Sequence, residues 1–434
     1  MSEGADAGSG TGVGSENPPV RRLAAWDAAE LDGLADEYGT PLYVMDLGRV
    51  RENCQRLHEA FPDADVRYAA KAHAGRAVLE TVREAGLGIE CASAGEVERA
   101  FAAGARGSAV QYTAVNPPGR DLDRVVERWR DDPDLTVTVG ARDTVDRLRD
   151  RGFDGRLCVR VNPGVGAGHH EKVTTGGHAK FGVPYSEAES VVADARDDFD
   201  VVGIHAHAGS GISGEDLSAH REVVRRMGDL ARAVGEFVDL EFVDVGGGFG
   251  VPYREDEPPL DLGAVAAATR DALGDVDAQL AIEPGRYVVA DAGVLLATVN
   301  TIKESAEYET VVGIDAGMTT LLRPAMYDAY HAIRNLSAAD ADSDADERGH
   351  EDEDAIPVTV AGPICETSDV LCEHRPLARP SRGDRLAVGN AGAYGYEMAS
   401  TYNSRPRPAE VVLEPEPRLA RRRETLADLT ELDV

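Results

Sequence analysis

At 434 residues the chain is longer than one hydrophobic core usually serves, so two domains are expected. Seventy-eight acidic against 45 basic residues give a formal net charge of −33, which excludes nucleic acid and anionic membranes as partners and points to a hydrated acidic surface suited to concentrated salt. Lysine has almost vanished from the basic set, surviving only at Lys71, Lys172, Lys180 and Lys303, so each survivor invites a chemical reason.

In chain order, residues 1–20 are rich in Gly, Ser and Glu and are expected to be a disordered tail. They lack the basic and apolar regions of a signal peptide, which points to a cytoplasmic protein. PLYVMD (41–46) reads as a strand ahead of the main pattern, available to pair with a later sheet. From 66 to 286, apolar β-type runs alternate with amphipathic helical stretches. The runs are VRYAAK (66–71), GIECAS (88–93), AVQYTA (109–114) and LTVTVG (135–140), then RLCVRVN (156–162), VVGIHAH (201–207), LEFVDVG (240–246) and QLAIEPG (279–285). Eight such units suit a (β/α)8 barrel, and a doubly wound open sheet shares the rhythm. The run ends decide for the barrel. Lys71, Glu90, Ser93, Asn116, Arg160, Asn162, His205, His207, Ser210, Gly246 to Gly248, Glu283 and Arg286 all fall at C-terminal ends, which a barrel gathers at one mouth.

After residue 300 the runs YETVVGID (308–315), IPVTVAG (356–362), DRLAVGN (384–390) and AEVVLE (409–414) predict a mainly β second domain. The expected division is a barrel over 47–300 and a discontinuous β domain over 21–46 plus 301–420. An acidic, disordered insertion is expected at 337–355, and RLARRRETLADLTELDV at the C-terminus reads as a polar helix or tail, the tail proper covering 421–434. The longest apolar run, YVVADAGVLLATV (287–299), carries Asp291 and is too short to span a bilayer. The five cysteines, Cys54, Cys91, Cys158, Cys365 and Cys372, are scattered without CxxC spacing, so neither a disulfide framework nor a metal site is expected.

Lys71 ends the first barrel run, where partial desolvation is expected to depress its pKa and make the amine a nucleophile able to form a Schiff base. The glycines of VDVGGGFGVPY (243–253), Gly247 and Gly248 among them, lack G-x-G-x-x-G spacing but offer bare backbone N–H groups to a phosphate. The next run ends in Glu283, Pro284, Gly285 and Arg286, and loops after strands seven and eight are the usual phosphate position in such barrels. Glu283 is then placed to keep a pyridine nitrogen protonated, which makes the ring an electron sink. His207 is placed to pack against that ring and Ser210 to donate to the phosphate.

The segments GTPLYVMD, YAAKAH, RVNPGVGAGHH, KFG, HAHAGSGI, VGGGFGVPY, EPGRYVVADAG, DAGMTTLLRPAMYDAYH, VAGPICETSD and NAGAYGYEMASTYNSRPRPAEV follow one another from about residue 39 to 412. In that order they resemble the fold III pyridoxal-phosphate decarboxylases, and within them the diaminopimelate decarboxylase family. The resemblance implies pyridoxal 5'-phosphate on Lys71, held by Ser210, Gly248, residues 283–286 and Tyr394. It implies a small amino-acid substrate, meso-diaminopimelate, bound by Arg286, Arg323, Tyr327, Glu366 and Tyr394 and attacked at its D-configured centre. The two arginines would grip the distal carboxylate and Glu366 the distal ammonium. It also implies Cys365 as a proton donor contributed by the other subunit of a homodimer. Related decarboxylases acting on lysine, ornithine or arginine are the rivals, as is an inactive regulatory relative, although Lys71 and the Cys365–Glu366 pair are intact. The sequence departs from the family at Thr319 and Thr320, where Asn-Asp is usual, and at Glu90, where aspartate is common.

Overall fold

The computed structural model describes residues 18–165, 180–207, 209, 212, 216–338 and 355–434; Ser210, the N-terminal 17 residues and the acidic stretch 339–354 lie outside them. Eight parallel strands form a closed barrel: Asp65–Ala69, Gly88–Cys91, Val110–Tyr112, Thr136–Val139, Arg156–Asn162, Asp200–His205, Phe242–Asp244 and Gln279–Ile282. Each pairs with the next, and the last returns to the first with Ala281 opposite Asp65. The strands are buried on both faces, which is why they read as near-continuous apolar runs and not as alternating ones.

The outer helices carry the complementary period. Ser218–Val234 buries His220, Val223, Val224, Met227, Leu230, Ala231 and Val234, one stripe at three- and four-residue spacing. Ala94–Ala102 starts on a reciprocal cap: Ser93 Oγ accepts from the Glu96 amide at 3.2 Å, and Glu96 returns a carboxylate oxygen to the Ala92 amide at 2.6 Å. Among the described residues no helix is long and apolar enough to cross a membrane.

The second, mainly β domain is a nine-stranded sheet running Val370–Ala378, Ala355–Ala361, Thr310–Ile314, Gly293–Lys303, Leu42–Asp46, Ala409–Glu414, Glu416–Arg421, with Arg385–Val388 and Ile333–Asn335 off that path. Leu42–Asp46 lies in its middle, antiparallel to Gly293–Lys303 and parallel to Ala409–Glu414. Two expectations change. Gly293–Lys303 already belongs to this sheet, so the domain boundary expected at residue 300 falls inside a strand of the second domain, while the last barrel strand, Gln279–Ile282, lies where the run 279–285 placed it. The C-terminal segment is neither helix nor tail at its start: Glu416–Arg421 hairpins back on Ala409–Glu414, and Arg421 is anchored 2.8 Å from Glu397 beside buried Glu410. A run of arginines reads as polar helix until buried carboxylates are found to hold one of them.

Candidate active site

The barrel mouth collects its residues from strand ends. The first strand stops at Ala69, and Lys71 follows on the 3-10 turn Ala70–Ala72, which lifts its side chain into the concavity, 40% accessible. Its Nζ donates to Glu90 Oε2 at 2.9 Å, and Glu90 is 1% exposed on the neighbouring strand Gly88–Cys91. Burial pulls the Lys71 pKa down, but Glu90, then Tyr394 and Glu283, outweigh it and the net direction is upward. The expectation of a depressed pKa is therefore corrected: burial is the largest single influence, but Glu90, Tyr394 and Glu283 together stabilise the ammonium more than desolvation penalises it. The sequence marked Glu90 at a strand end without giving it a role; the structure makes it the partner of Lys71. Its signal was a carboxylate inside an apolar strand, a position that water cannot satisfy.

Glu283 is 4% exposed at the end of the last strand. Its Oε2 lies 3.2 Å from His205 Nε2, while its Oε1 is buried with no hydrogen-bond partner. Burial, and then Glu90, push the Glu283 carboxyl upward; His205 is held down at about 4 by burial, so its ring is neutral. His207 is likewise lowered by burial, and its Nδ1 accepts from the Gly247 amide at 3.1 Å.

The glycine loop is built for close approach. A Cβ at Gly247 would lie 2.1 Å from the Glu283 carbonyl, and Gly248 takes φ +104° with Gly209's carbonyl 2.6 Å from where its Cβ would be. A side chain at Gly285 would press on Ala69 and Ala72, beside the Lys71 turn. The expected row of free amides is narrower than the motif suggested, because Gly246 donates to Asp244 Oδ1 and Gly247 to His207. Among the described residues, Gly248 is the glycine of this triplet whose amide has no acceptor.

The second domain closes the mouth. Tyr394, at φ +57°, donates its amide to the Ala72 carbonyl at 2.8 Å and puts its ring 5.0 Å from the Arg286 guanidinium. Arg286, Arg323 and Tyr327 line one cleft of about 500 Å³. Arg286 Nη1 donates to Tyr253 OH at 2.6 Å; Arg323, 5% exposed, lies 4.8 Å from the Tyr253 ring and donates to His331 Nε2 at 2.9 Å. Among the described residues neither guanidinium has a carboxylate partner. Tyr253 and His331 were not singled out from sequence, since Tyr253 meets its arginine from 33 residues away and His331, eight residues past Arg323, shows its role only through its ring's orientation. Cys365 and Glu366 are not in this cleft. Cys365 is exposed, with Asn403 Nδ2 donating to its sulfur at 3.2 Å, and Glu366 accepts from Tyr402 OH at 2.5 Å. The other four cysteines are buried and free.

An amine at the mouth, an orphaned buried carboxylate oxygen and a glycine cradle fit pyridoxal phosphate, with Lys71 to hold it, Glu283 Oε1 for its ring nitrogen and the Gly248 loop for its phosphate. Comparison with known proteins agrees. The family described as "Pyridoxal-dependent decarboxylase, pyridoxal binding domain" matches residues 47–290. The chain is 44% identical to the diaminopimelate decarboxylase of Methanothermobacter thermautotrophicus, covering 93% of each. Among solved structures it resembles the Helicobacter pylori diaminopimelate decarboxylase complexed with L-lysine, with TM-score 0.82 and 30% identity over 93% of this chain and 99% of that one. The M. jannaschii enzyme in co-complex with L-lysine is similar at TM-score 0.83 and 31% identity, covering 94% and 95%. The chain belongs to the pyridoxal-dependent decarboxylases and is an enzyme that uses pyridoxal phosphate.

Proposed function

We propose that the enzyme removes the carboxylate from the D-configured head of meso-2,6-diaminopimelate, releasing CO2 and L-lysine as the last step of lysine biosynthesis. The observation that carries this reading is the pair Arg286 and Arg323, two cations facing one cleft whose acceptors are a phenol and an imidazole, with no carboxylate partner among the described residues. A substrate with a second amino-acid head brings the missing carboxylate, and guanidinium forks suit it. A substrate ending in a plain ammonium would leave both charges uncompensated.

The residues divide the work as follows. Lys71 holds the cofactor and yields its place to the substrate amine. The bound pyridoxal phosphate supplies the electron sink that takes up the pair left when the carboxylate departs. Glu283 Oε1 would hold the ring-nitrogen proton, His207 would lie against the ring, and Gly247, Gly248, Pro284 and Gly285 would hold the phosphate, with Ser210 added from the motif. Tyr394, beside Arg286, would contact both the phosphate and the substrate, and Tyr327 lines the cleft taken as the distal pocket. Cys365 donates the proton that replaces CO2 and Glu366 takes the distal ammonium, both at the mouth of a second copy in a homodimer. Their exposure, away from the cleft of their own chain, supports that arrangement. The net charge of −33 supports a cytoplasm rich in salt as the working environment. Incubation with meso-diaminopimelate and pyridoxal phosphate is expected to yield L-lysine and CO2 in equal amounts; preferential turnover of L-lysine, L-ornithine or L-arginine would overturn the assignment.

A further inference from the structure

Arg323 is a buried cation fixed by a histidine. His331 is fully buried, with Nδ1 2.8 Å from the Gly389 carbonyl and Nε2 2.9 Å from Arg323 Nη1. A carbonyl can only accept, so Nδ1 carries the ring proton and Nε2 presents a lone pair, the one neutral tautomer to which a guanidinium can donate. Burial, and then Arg323 itself, hold the imidazole down at about 3, so the ring stays uncharged through the physiological range.

Tyr253 does the same for Arg286, whose Nη1 it accepts at 2.6 Å, while its ring meets Arg323 at 4.8 Å and His331 edge-on at 5.4 Å. The nearby acids are spent or outside. Glu257 lines the cleft but gives Oε2 to the amides of Tyr253 and Arg254 at 2.7 and 3.1 Å, and Asp328 is exposed. A buried arginine is ordinarily fixed by a carboxylate, which would also cancel its charge. Here orientation and neutralisation are separated.

We propose that His331 and Tyr253 are specificity-determining positioning residues that aim Arg323 and Arg286 while leaving both charges for a carboxylate on the ligand. This rests on the reading of the cleft as the site of the distal amino-acid head. It adds two residues to that head's recognition and a reason for their chemistry.

The test uses the holoenzyme and two ligands that split the substrate's features. L-lysine keeps the distal carboxylate; D-lysine keeps the reacting one and ends in an ammonium. His331→Asp supplies an internal counter-ion and is expected to weaken L-lysine binding, measured by calorimetry, by roughly tenfold or more. D-lysine binding is expected to change far less. His331→Gln, which restores a neutral acceptor, should recover most of the L-lysine affinity, and the KM for meso-diaminopimelate should rise more than kcat falls in His331→Asp. Equal weakening of both ligands, or unchanged L-lysine binding, would show a packing role only and overturn the proposal. Should His331→Asp fail to fold, Tyr253→Phe keeps the ring and removes only the acceptor, and the same selective loss is expected. The underlying reading fails separately, and first, if the wild-type enzyme forms no lysine from meso-diaminopimelate.

Discussion

Lys71 and Glu90 show how one contact reverses an expectation. A lysine in a barrel mouth suggests an amine made reactive by desolvation, yet Glu90 at 2.9 Å leads the groups that together favour the ammonium. Glu90→Gln removes the largest of the influences that raise the Lys71 pKa, leaving burial less opposed. Capture of added pyridoxal phosphate by the apoenzyme, followed by stopped-flow absorbance, is therefore expected to be faster in Glu90→Gln at neutral pH, with its pH profile displaced downward. Superimposable profiles would show that Glu90 does not set the charge of Lys71. Sequence alone marked both residues, because an ionisable group in an apolar strand needs a partner; it could not reveal that each was the other's.

Between elements, the helix Ser218–Val234 lies against Leu262–Leu273 with a histidine in the seam. His220 Nε2 is 2.7 Å from Thr269 Oγ1, whose own proton goes to the Val265 carbonyl, so His220 donates and Thr269 accepts. Burial holds His220 down at about 4. Its folded pKa lies below the unfolded value near 6.5, so the unfolded chain takes up the proton first. Stability is full above that value, falls as pH drops from about 6.5 toward 4, and this group's loss is on the order of 3 kcal/mol when complete. His220→Gln retains a donor for Thr269 and cannot titrate. Relative to wild type, its urea-unfolding free energy is expected to be more favourable at pH 4.5 than at pH 7.5; an unchanged difference would mean that His220 is not held neutral. The apolar period of this helix was plain in the sequence. The neutral histidine within the stripe was not, because its partner lies on another helix.

At the scale of the whole molecule, two tests address assembly and surface. If Cys365 serves the neighbouring copy, Lys71→Ala and Cys365→Ala are each inactive alone, yet random pairing should leave about a quarter of the sites with both groups intact. Co-refolding the two inactive variants is expected to recover activity of that order, and no recovery would place both groups in one chain's site. The net charge of −33 should destabilise the compact state where repulsion is unscreened. Lowering potassium chloride from molar to about 0.1 M is expected to reduce the melting temperature, and full stability in dilute buffer would refute the salt adaptation.

The sequence by itself determined the eight strand–helix units, the mouth at which their polar ends converge and the family, and it marked Lys71, Glu283 and Arg323 as candidates. Those follow from periodicity and residue chemistry, which are local and survive in a string of letters. The tertiary structure alone decided that Lys71 is held charged by Glu90, that Glu283 keeps one oxygen unpartnered, and that Arg286 and Arg323 meet Tyr253 and His331 instead of carboxylates. Charge state, tautomer and uncompensated charge depend on burial and on distances of a few ångströms between segments far apart in the chain, and only the closed barrel with its second domain brings those segments together.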